Sequence, residues 1–404
     1  MTESTAPSPL RRALSLPWLV FYGVGVTIGA GIFALIGEIV TVSGDHAPLA
    51  FLLAGLVAAV TGVSYAILAS AYPRAAGEAI FVKLGMGEIA GRVIGLGVVA
   101  VAITSSAVIG LAFSRYVAAF APVPEEICVV LVLAVLGGIA MIGVRISVGF
   151  AALITLLEVG TLVAIILCGL PVIMDMENLS RVVALPSTAG AWMPVFSGAF
   201  LAFFAFIGFE DIENMAEETR DPHRTVPLAI ILTLVISVAI YMLVAAVAAA
   251  LPDRAALTAS KTPLATLFEL ATGRDGAPIA VMASIAMVNG ILVQIVMASR
   301  VLYGMAREGM LPQWLGHVHA TRRTPVNATA LVVVATGAFA LLVPFLQLAE
   351  LTSLVMLLVF ACVNLSLFLI GRRDGAPATI RRFRLLGLAG MSVALGLVVA
   401  EIAG

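Results

Sequence analysis

Apolar residues in this chain gather into runs of about 20 or more, the length a helix needs to cross the hydrocarbon of a bilayer, and short polar or proline-bearing turns separate them. Eleven such runs can be counted, at about 17–41, 48–71, 87–119, 126–144, 148–174, 192–215, 226–251, 278–306, 326–346, 350–370 and 384–402. Gly44-Asp45-His46 follows the first run, Tyr72-Pro73-Arg74 the second, and a turn from Pro122 to Glu126 the third. The longest connection, 252–277, mixes polar and apolar residues and is expected to hold a short helix on one membrane face. The pattern predicts an all-α integral membrane protein with eleven transmembrane helices.

Two of the runs are interrupted. The first carries Gly23, Gly25, Gly29, Gly31 and Gly37, although each glycine inside a helix costs roughly 1 kcal/mol relative to alanine. A span that only crossed lipid would gain nothing from them. Gly29-Ala30-Gly31 is therefore expected to open the helix, and broken backbone survives at membrane depth only where protein buries it or water and ligand satisfy it. The sixth run starts apolar, meets Gly208 and turns acidic at Glu210, Asp211 and Glu213. Paired interruptions in corresponding positions point to inverted repeats with a midplane site between them. Because the two lie five spans apart, the second copy would be upside down. The expected division is a cytoplasmic tail at 1–16, a first repeat of spans 1–5 at 17–175, a second of spans 6–10 at 190–370, and an extra span 11 at 383–404.

Composition agrees: 62% of the 404 residues are hydrophobic and 11% charged, where soluble domains are nearer a quarter charged. The net charge of −1 gives no bulk attraction to nucleic acid. Cys128, Cys168 and Cys362 lie in apolar runs with no CxxC or histidine partner, so they read as small hydrophobes and no metal site is expected. No cleavable signal is evident in the first residues. Lys and Arg fix the orientation, since cytoplasmic loops carry the excess. With the amino terminus inside, 17 of the 22 fall on the cytoplasmic side, and eleven spans put the carboxyl terminus outside. A multi-pass protein of the plasma membrane is expected. Asn178-Leu179-Ser180 fits the glycosylation triplet and is taken as a chance match.

Three segments carry a family resemblance. Gly29-Ala30-Gly31-Ile32-Phe33 looks like a G-x-G-I-F break in a first span. Phe204 to Glu210 is followed by Ala216-Glu217-Glu218 and by Asp221-Pro222-His223-Arg224-Thr225-Val226-Pro227. Ser299 to Pro312, SRVLYGMAREGMLP, closes the eighth span. In this order and at these spans they resemble the amino acid–polyamine–organocation superfamily of transporters, over most of the chain. The resemblance implies the five-plus-five inverted-repeat fold and uptake or exchange of amino acids or related amines. Many relatives have twelve spans, so the carboxyl-terminal topology and oligomeric contacts, monomer or homodimer, stay open.

An amino acid brings a carboxylate and an ammonium that must be satisfied away from water. The half-helix after Gly29-Ala30-Gly31 offers unpaired N–H groups and about half a positive charge to the carboxylate, with Ile28 and Ile32 at its edges. In the sixth span the carbonyls of Phe204, Ala205 and Ile207, freed before Gly208, suit the ammonium, and the resemblance places its main-chain contacts on the same positions. Close helix packing is the plain alternative for the glycines, since Gly25 and Gly29 form a small-xxx-small pair. The resemblance implies that aromatic residues of the sixth-span stretch cover the substrate as a thin gate, and Phe206, beside the break, is the expected one, with a core or lipid-facing ring as the plain alternative. Ser106, with Thr104 and Ser105, and Met287, with Asn289, are the expected side-chain pocket; Thr27 and Ser284 are weaker candidates.

Glu158 sits near the middle of an apolar run, where a carboxylate costs several kcal/mol unless paired, hydrated or protonated. In some proton-coupled relatives a lysine matches this place, so its role does not carry over. Glu158 is expected beside the first break, taking up and releasing a coupling proton; a Na⁺ ligand or a structural carboxylate are the alternatives. Glu210 matches a glutamate of acid-responsive exchangers and is either a pH sensor and gate or a solvated acid at the span end. The whole reads as a secondary active amino acid transporter with no cofactor, coupled to H⁺ with Na⁺ as the alternative ion, or run as an exchanger. The rival from another class is a non-transporting amino-acid sensor. No HExxH, Ser/His/Asp set or GxxxxGK[ST] segment supports an enzyme or a primary pump.

Overall fold

The structure is a computed structural model, and it describes residues 14–72, 77–143, 148–319 and 321–403; the side chains at 148–151, 214 and 216–218 are left aside. Arg11, Arg12, Arg74 and Arg145, which contribute to the charge asymmetry, lie outside the described residues, as do the side chains of Ala216, Glu217 and Glu218.

The first apolar run is two helices, α1 (Leu16–Ile28) and α2 (Ala30–Ser43), with Gly29 alone between them at φ −34°, ψ −140°. A 3-10 turn at Gly44–His46 leads into α3 (Ala47–Ala71). A short helix, α4 (Gly77–Met86), ends at Gly87, whose φ of +102° lets the chain reverse into α5 (Glu88–Val117). Next come α6 (Glu125–Ile142), α7 (Val148–Ile173) and α8 (Met176–Val183), the last capped by Asp175 accepting from the N–H groups of Glu177 and Asn178. The sixth run begins as α9 (Met193–Phe203) and then tightens into 3-10 turns at Phe204–Phe206 and Phe209–Glu218. After it follow α10 (Pro222–Ala250), α11 (Arg254–Thr258) and α12 (Pro263–Thr272). The last four are α13 (Ala277–Arg307), α14 (Val326–Leu342), α15 (Phe345–Gly371) and α16 (Ala378–Ala403).

Among the described residues nine helical stretches are long and apolar enough to cross a membrane, when α2 and α3, which meet at the turn beginning at Gly44, are taken as one stretch, Ala30–Ala71. Leu16–Ile28 and Val326–Leu342 are apolar but shorter. At 1.5 Å per residue, neither α1 nor α2 reaches across alone, and the break at Gly29 is the reason. The connection at 252–277 holds two short helices, α11 and α12.

The core is aromatic where α3, α9, the Phe209–Glu218 segment and α15 meet: Tyr65, Phe203 and Phe209 all stack edge-on around Phe360, with ring centroids 5.4 to 5.5 Å apart. Beside them Asn364 is fully buried. Its amide donates to the Thr61 hydroxyl at 3.0 Å and the Phe360 carbonyl at 2.9 Å, and its oxygen accepts from Ser64 at 2.6 Å. Gly390 of α16 packs so closely here that a Cβ would strike the Asn364 side chain. Asn364→Leu leaves two buried hydroxyls without this partner, and a single orphaned polar group costs about 1–3 kcal/mol. The expected result is a clearly lower melting temperature in detergent, measured by scanning fluorimetry.

At one end of the bundle Asp45 receives Arg254 at 2.7 Å and Arg181 at 3.6 Å, drawing together the Gly44–His46 turn, α11 and α8. Nearby, Tyr116 of α5 donates to the Phe33 carbonyl at 3.0 Å and accepts from the Leu264 amide at 3.1 Å. Pro263 of α12 rests on Gly37. These contacts close the α2 end. At the other end Leu14 forms a parallel bridge with Thr219, its carbonyl accepting from the Arg220 amide at 2.9 Å.

Candidate functional site

The two interrupted segments cross at their breaks. A Cβ on Gly31 would lie 2.7 Å from the Cα of Ala205, and one on Gly208 would lie 2.9 Å from the Val26 carbonyl oxygen. Gly208 also takes φ +124°, which residues with a side chain rarely adopt. Backbone thus meets backbone at both points, and only glycine leaves room.

Between them lies a narrow cavity. Its wall is formed by Gly25, Val26, Thr27, Gly29, Ala30 and Gly31 of the first break, Phe204 and Ile207 of the second, Ser105 and Ile109 of α5, and Asn289, Gly290, Val293 and Gln294 of α13. The amides at the start of α2 face a site with no side-chain cap, so the orphan N–H groups that every helix start carries remain for an anion. None of the described lining side chains is charged.

The expected site residues divide. Gly29, Ala30, Gly31, Phe204 and Ile207 line the cavity. Ile28, Ile32, Ala205 and Gly208 are at the crossing but not on its wall, with Ile28 and Ile32 fully buried. Phe206 is fully buried with its ring against Tyr241 at 5.2 Å, and it is not on the cavity wall. Ser106 and Met287 are buried off the wall, and their neighbours Ser105 and Asn289 reach it instead.

The carbonyls expected to be free are partly taken. Phe204 accepts from the Ile207 amide at 3.3 Å, and Ala205 accepts from the Tyr241 hydroxyl at 2.9 Å. The same hydroxyl lies 2.7 Å from the Thr27 carbonyl, so one proton on α10 is shared between the two breaks. The reading of the sequence missed Tyr241, which stands in an apolar run with no local signal to mark it. It missed Gln294 too.

Glu210 is buried, and its carboxylate accepts from the Gly208 amide at 2.9 Å, capping the chain where it turns at the break. Glu158 is 2% exposed on α7, and both carboxylate oxygens lack a hydrogen bond among the described residues. The Asn289 amide approaches it without closing a bond of good geometry, and Tyr241 is within electrostatic reach. Through Asn289 the carboxylate sits one side chain behind the cavity wall. Groups of three or more His, Cys, Asp or Glu suited to a metal do not occur among the described residues.

Comparison with known proteins agrees with this geometry. The family model for amino acid permeases matches residues 14–403. An uncharacterized transporter of Mycobacterium tuberculosis is 30% identical over 394 residues, 96% of this chain and 86% of its own. The branched-chain amino acid permease BcaP of Bacillus subtilis is 26% identical over 404 residues, covering 96% and 86%. The mitochondrial cationic amino acid transporter 3 of Arabidopsis thaliana is 28% identical over 387 residues, 89% of this chain and 62% of that protein. With the family model matching almost the whole chain and long apolar helices throughout, this protein is a multi-pass membrane member of the amino acid permease family.

Proposed function

We propose that the protein is a secondary active transporter that takes a neutral amino acid through the plasma membrane by alternating access, driven by the proton gradient through Glu158. The observation that carries the reading is a carboxylate 2% exposed and without a hydrogen bond, one amide away from the cavity between the breaks. An unpaired charge held there costs several kcal/mol, and binding a proton removes that cost. The two breaks would belong to inverted repeats, with the amino terminus in the cytoplasm.

In this reading the substrate carboxylate meets the bare amides at the start of α2, and the ammonium meets carbonyls of the second break, the Ile207 carbonyl first since Tyr241 occupies that of Ala205. Ile109 and Val293 give the side chain an apolar wall, which favours small to medium apolar side chains. The branched-chain permease relative points the same way; the cationic transporter relatives point to arginine or lysine, and exchange is the second transport mode. Protonation of Glu158 would let Asn289 and the adjacent wall relax toward the occupied state, and release of the proton on the other face would reset them.

The test is reconstitution into liposomes with an imposed pH gradient and labelled neutral and cationic amino acids. Leucine-like substrates are expected to accumulate, and Glu158→Gln is expected to abolish accumulation while sparing counterflow. Proton-driven uptake that survives in Glu158→Gln removes Glu158 from the coupling; uptake that requires Na⁺ replaces the ion.

A further inference from the structure

Four acidic residues approach one another at the end of the bundle away from Asp45: Glu78 on α4, and Glu210, Asp211 and Glu213 on the second half of the interrupted sixth segment. Glu210 is committed to the Gly208 amide, and Asp211 has a partner of its own. Glu78 and Glu213 remain. They are 6% and 2% exposed, and no ion pair among the described residues reaches either. Both oxygens of Glu213 lack a donor among the described residues.

Their placement is close and one-sided. The Glu213 carboxylate packs directly on the Cα of Gly77, where any Cβ would collide with it, and Gly77 is the neighbour of Glu78. The two carboxyl groups come within hydrogen-bonding reach of each other. Two ionised carboxylates cannot hold that position, because like charges in a dry site repel strongly; one proton between them turns repulsion into a hydrogen bond.

A further polar group points the same way. Tyr65 of α3 is fully buried, and its hydroxyl has no hydrogen-bond partner among the described residues. Its ring stands edge-on to Phe81, one turn beyond Glu78, and to Phe209, next to Glu210. That places the hydroxyl within electrostatic reach of all four acids, Glu78 and Glu213 foremost. Among the described residues the titratable groups around the pair are therefore acids of the sixth segment and a phenol of α3. On α4 itself Lys83 lies more than a turn away, and Arg373, at the end of α15, is spent on the Gly85 carbonyl at 2.9 Å.

We propose that Glu78 and Glu213 form a proton-binding site, one carboxyl donating its O–H to the other's carboxylate, and that the bound proton fastens α4 to the Phe209–Glu218 half of the sixth segment. The proton comes from the adjacent aqueous face, cytoplasmic in the orientation proposed above. Deprotonation leaves two carboxylates in contact and releases α4 from the segment. The site is separate from Glu158 and stands whichever ion drives transport.

Burial moves the Glu78 carboxyl up from 4.5 to about 7. An acid whose pKa is higher in the docked state holds that state together best below its ordinary value, and the hold is lost as the pH rises through the docked value. The window of release is thus from about 4.5 to about 7.

Infrared difference spectroscopy of the full chain in lipid nanodiscs, stepped in pH, reads the protonated carboxyl stretch directly. Wild type is expected to show a buried carboxyl band that vanishes as the pH rises toward neutral, and Glu78→Gln and Glu213→Gln each to remove it; Glu158→Gln should leave it in place. Hydrogen–deuterium exchange of 77–86 and 209–218, corrected for the intrinsic pH effect, is expected to rise severalfold across the same window in wild type. It should stay flat in E78Q/E213Q, where an amide–amide hydrogen bond substitutes for the shared proton. A band that persists in both single variants, or an exchange profile in the double variant that still follows pH, overturns the site.

Discussion

Gly208→Ala is expected to stop transport and to lower stability by several kcal/mol. Two costs fall on the same atom. At φ +124° a residue with a Cβ is strained by about 1–3 kcal/mol. The new methyl would also sit 2.9 Å from both the carbonyl oxygen and a side-chain carbon of Val26, and overpacking of that kind costs another 1–3 kcal/mol. Neither cost is easily relieved. Relaxing φ would pull the Gly208 amide away from Glu210, and moving Val26 would displace the cavity wall next to Thr27. Gly31→Ala gives the matching control from the other segment: its methyl would press on the Cα of Ala205 at 2.7 Å, a close approach without positive φ. Both variants should lower the melting temperature in detergent and reduce substrate counterflow to background, Gly208→Ala by the larger margin. Counterflow near the wild-type rate in Gly208→Ala would mean that the crossing of the breaks does not bear on transport.

The reach of the sequence differs between backbone and side chain. Glycines placed against helix propensity locate the breaks, and the structure ends one helix at Ile28, begins another at Ala30, and leaves α9 for 3-10 turns at Phe204. Backbone alone sets that signal. Which way a side chain points in a run that is apolar on every face is a different matter, because periodicity has no contrast to read. Hence Ser105 and not Ser106 reaches the cavity, and Asn289 and not Met287, each displaced by one or two positions along a helix. Phe206, beside the break, packs against Tyr241 and does not line the cavity. Glu78 is not singled out by the sequence, and it is buried where its neighbour Gly77 packs against Glu213. Tyr241 lies in an apolar run more than thirty residues from either break, and nothing local marks it.

Tyr241→Phe is the second large effect expected, and it separates two roles that the crossing combines. The ring is fully buried between Phe51 and Phe206, at 5.5 and 5.2 Å, so phenylalanine keeps the packing and removes only the hydroxyl. The carbonyls of Thr27 and Ala205 then lose their shared donor. A buried acceptor left without its partner costs about 1–3 kcal/mol, and here water or substrate entering from the cavity can make good part of that, since Thr27 lines it. The melting temperature should therefore fall by less than in Gly208→Ala. Transport should suffer more than stability: the hydroxyl holds both breaks to α10, and an ammonium competing for a carbonyl no longer fixed in place meets a looser site. A fall in affinity of about tenfold, the equivalent of 1.4 kcal/mol, is expected in substrate binding measured by calorimetry or competition, together with slower counterflow. Because Tyr241 is also within electrostatic reach of Glu158, the pH at which accumulation is half-maximal should move in Tyr241→Phe. A variant with wild-type binding and an unshifted pH profile would reduce this hydroxyl to a packing detail and leave the two interrupted helices independent of each other.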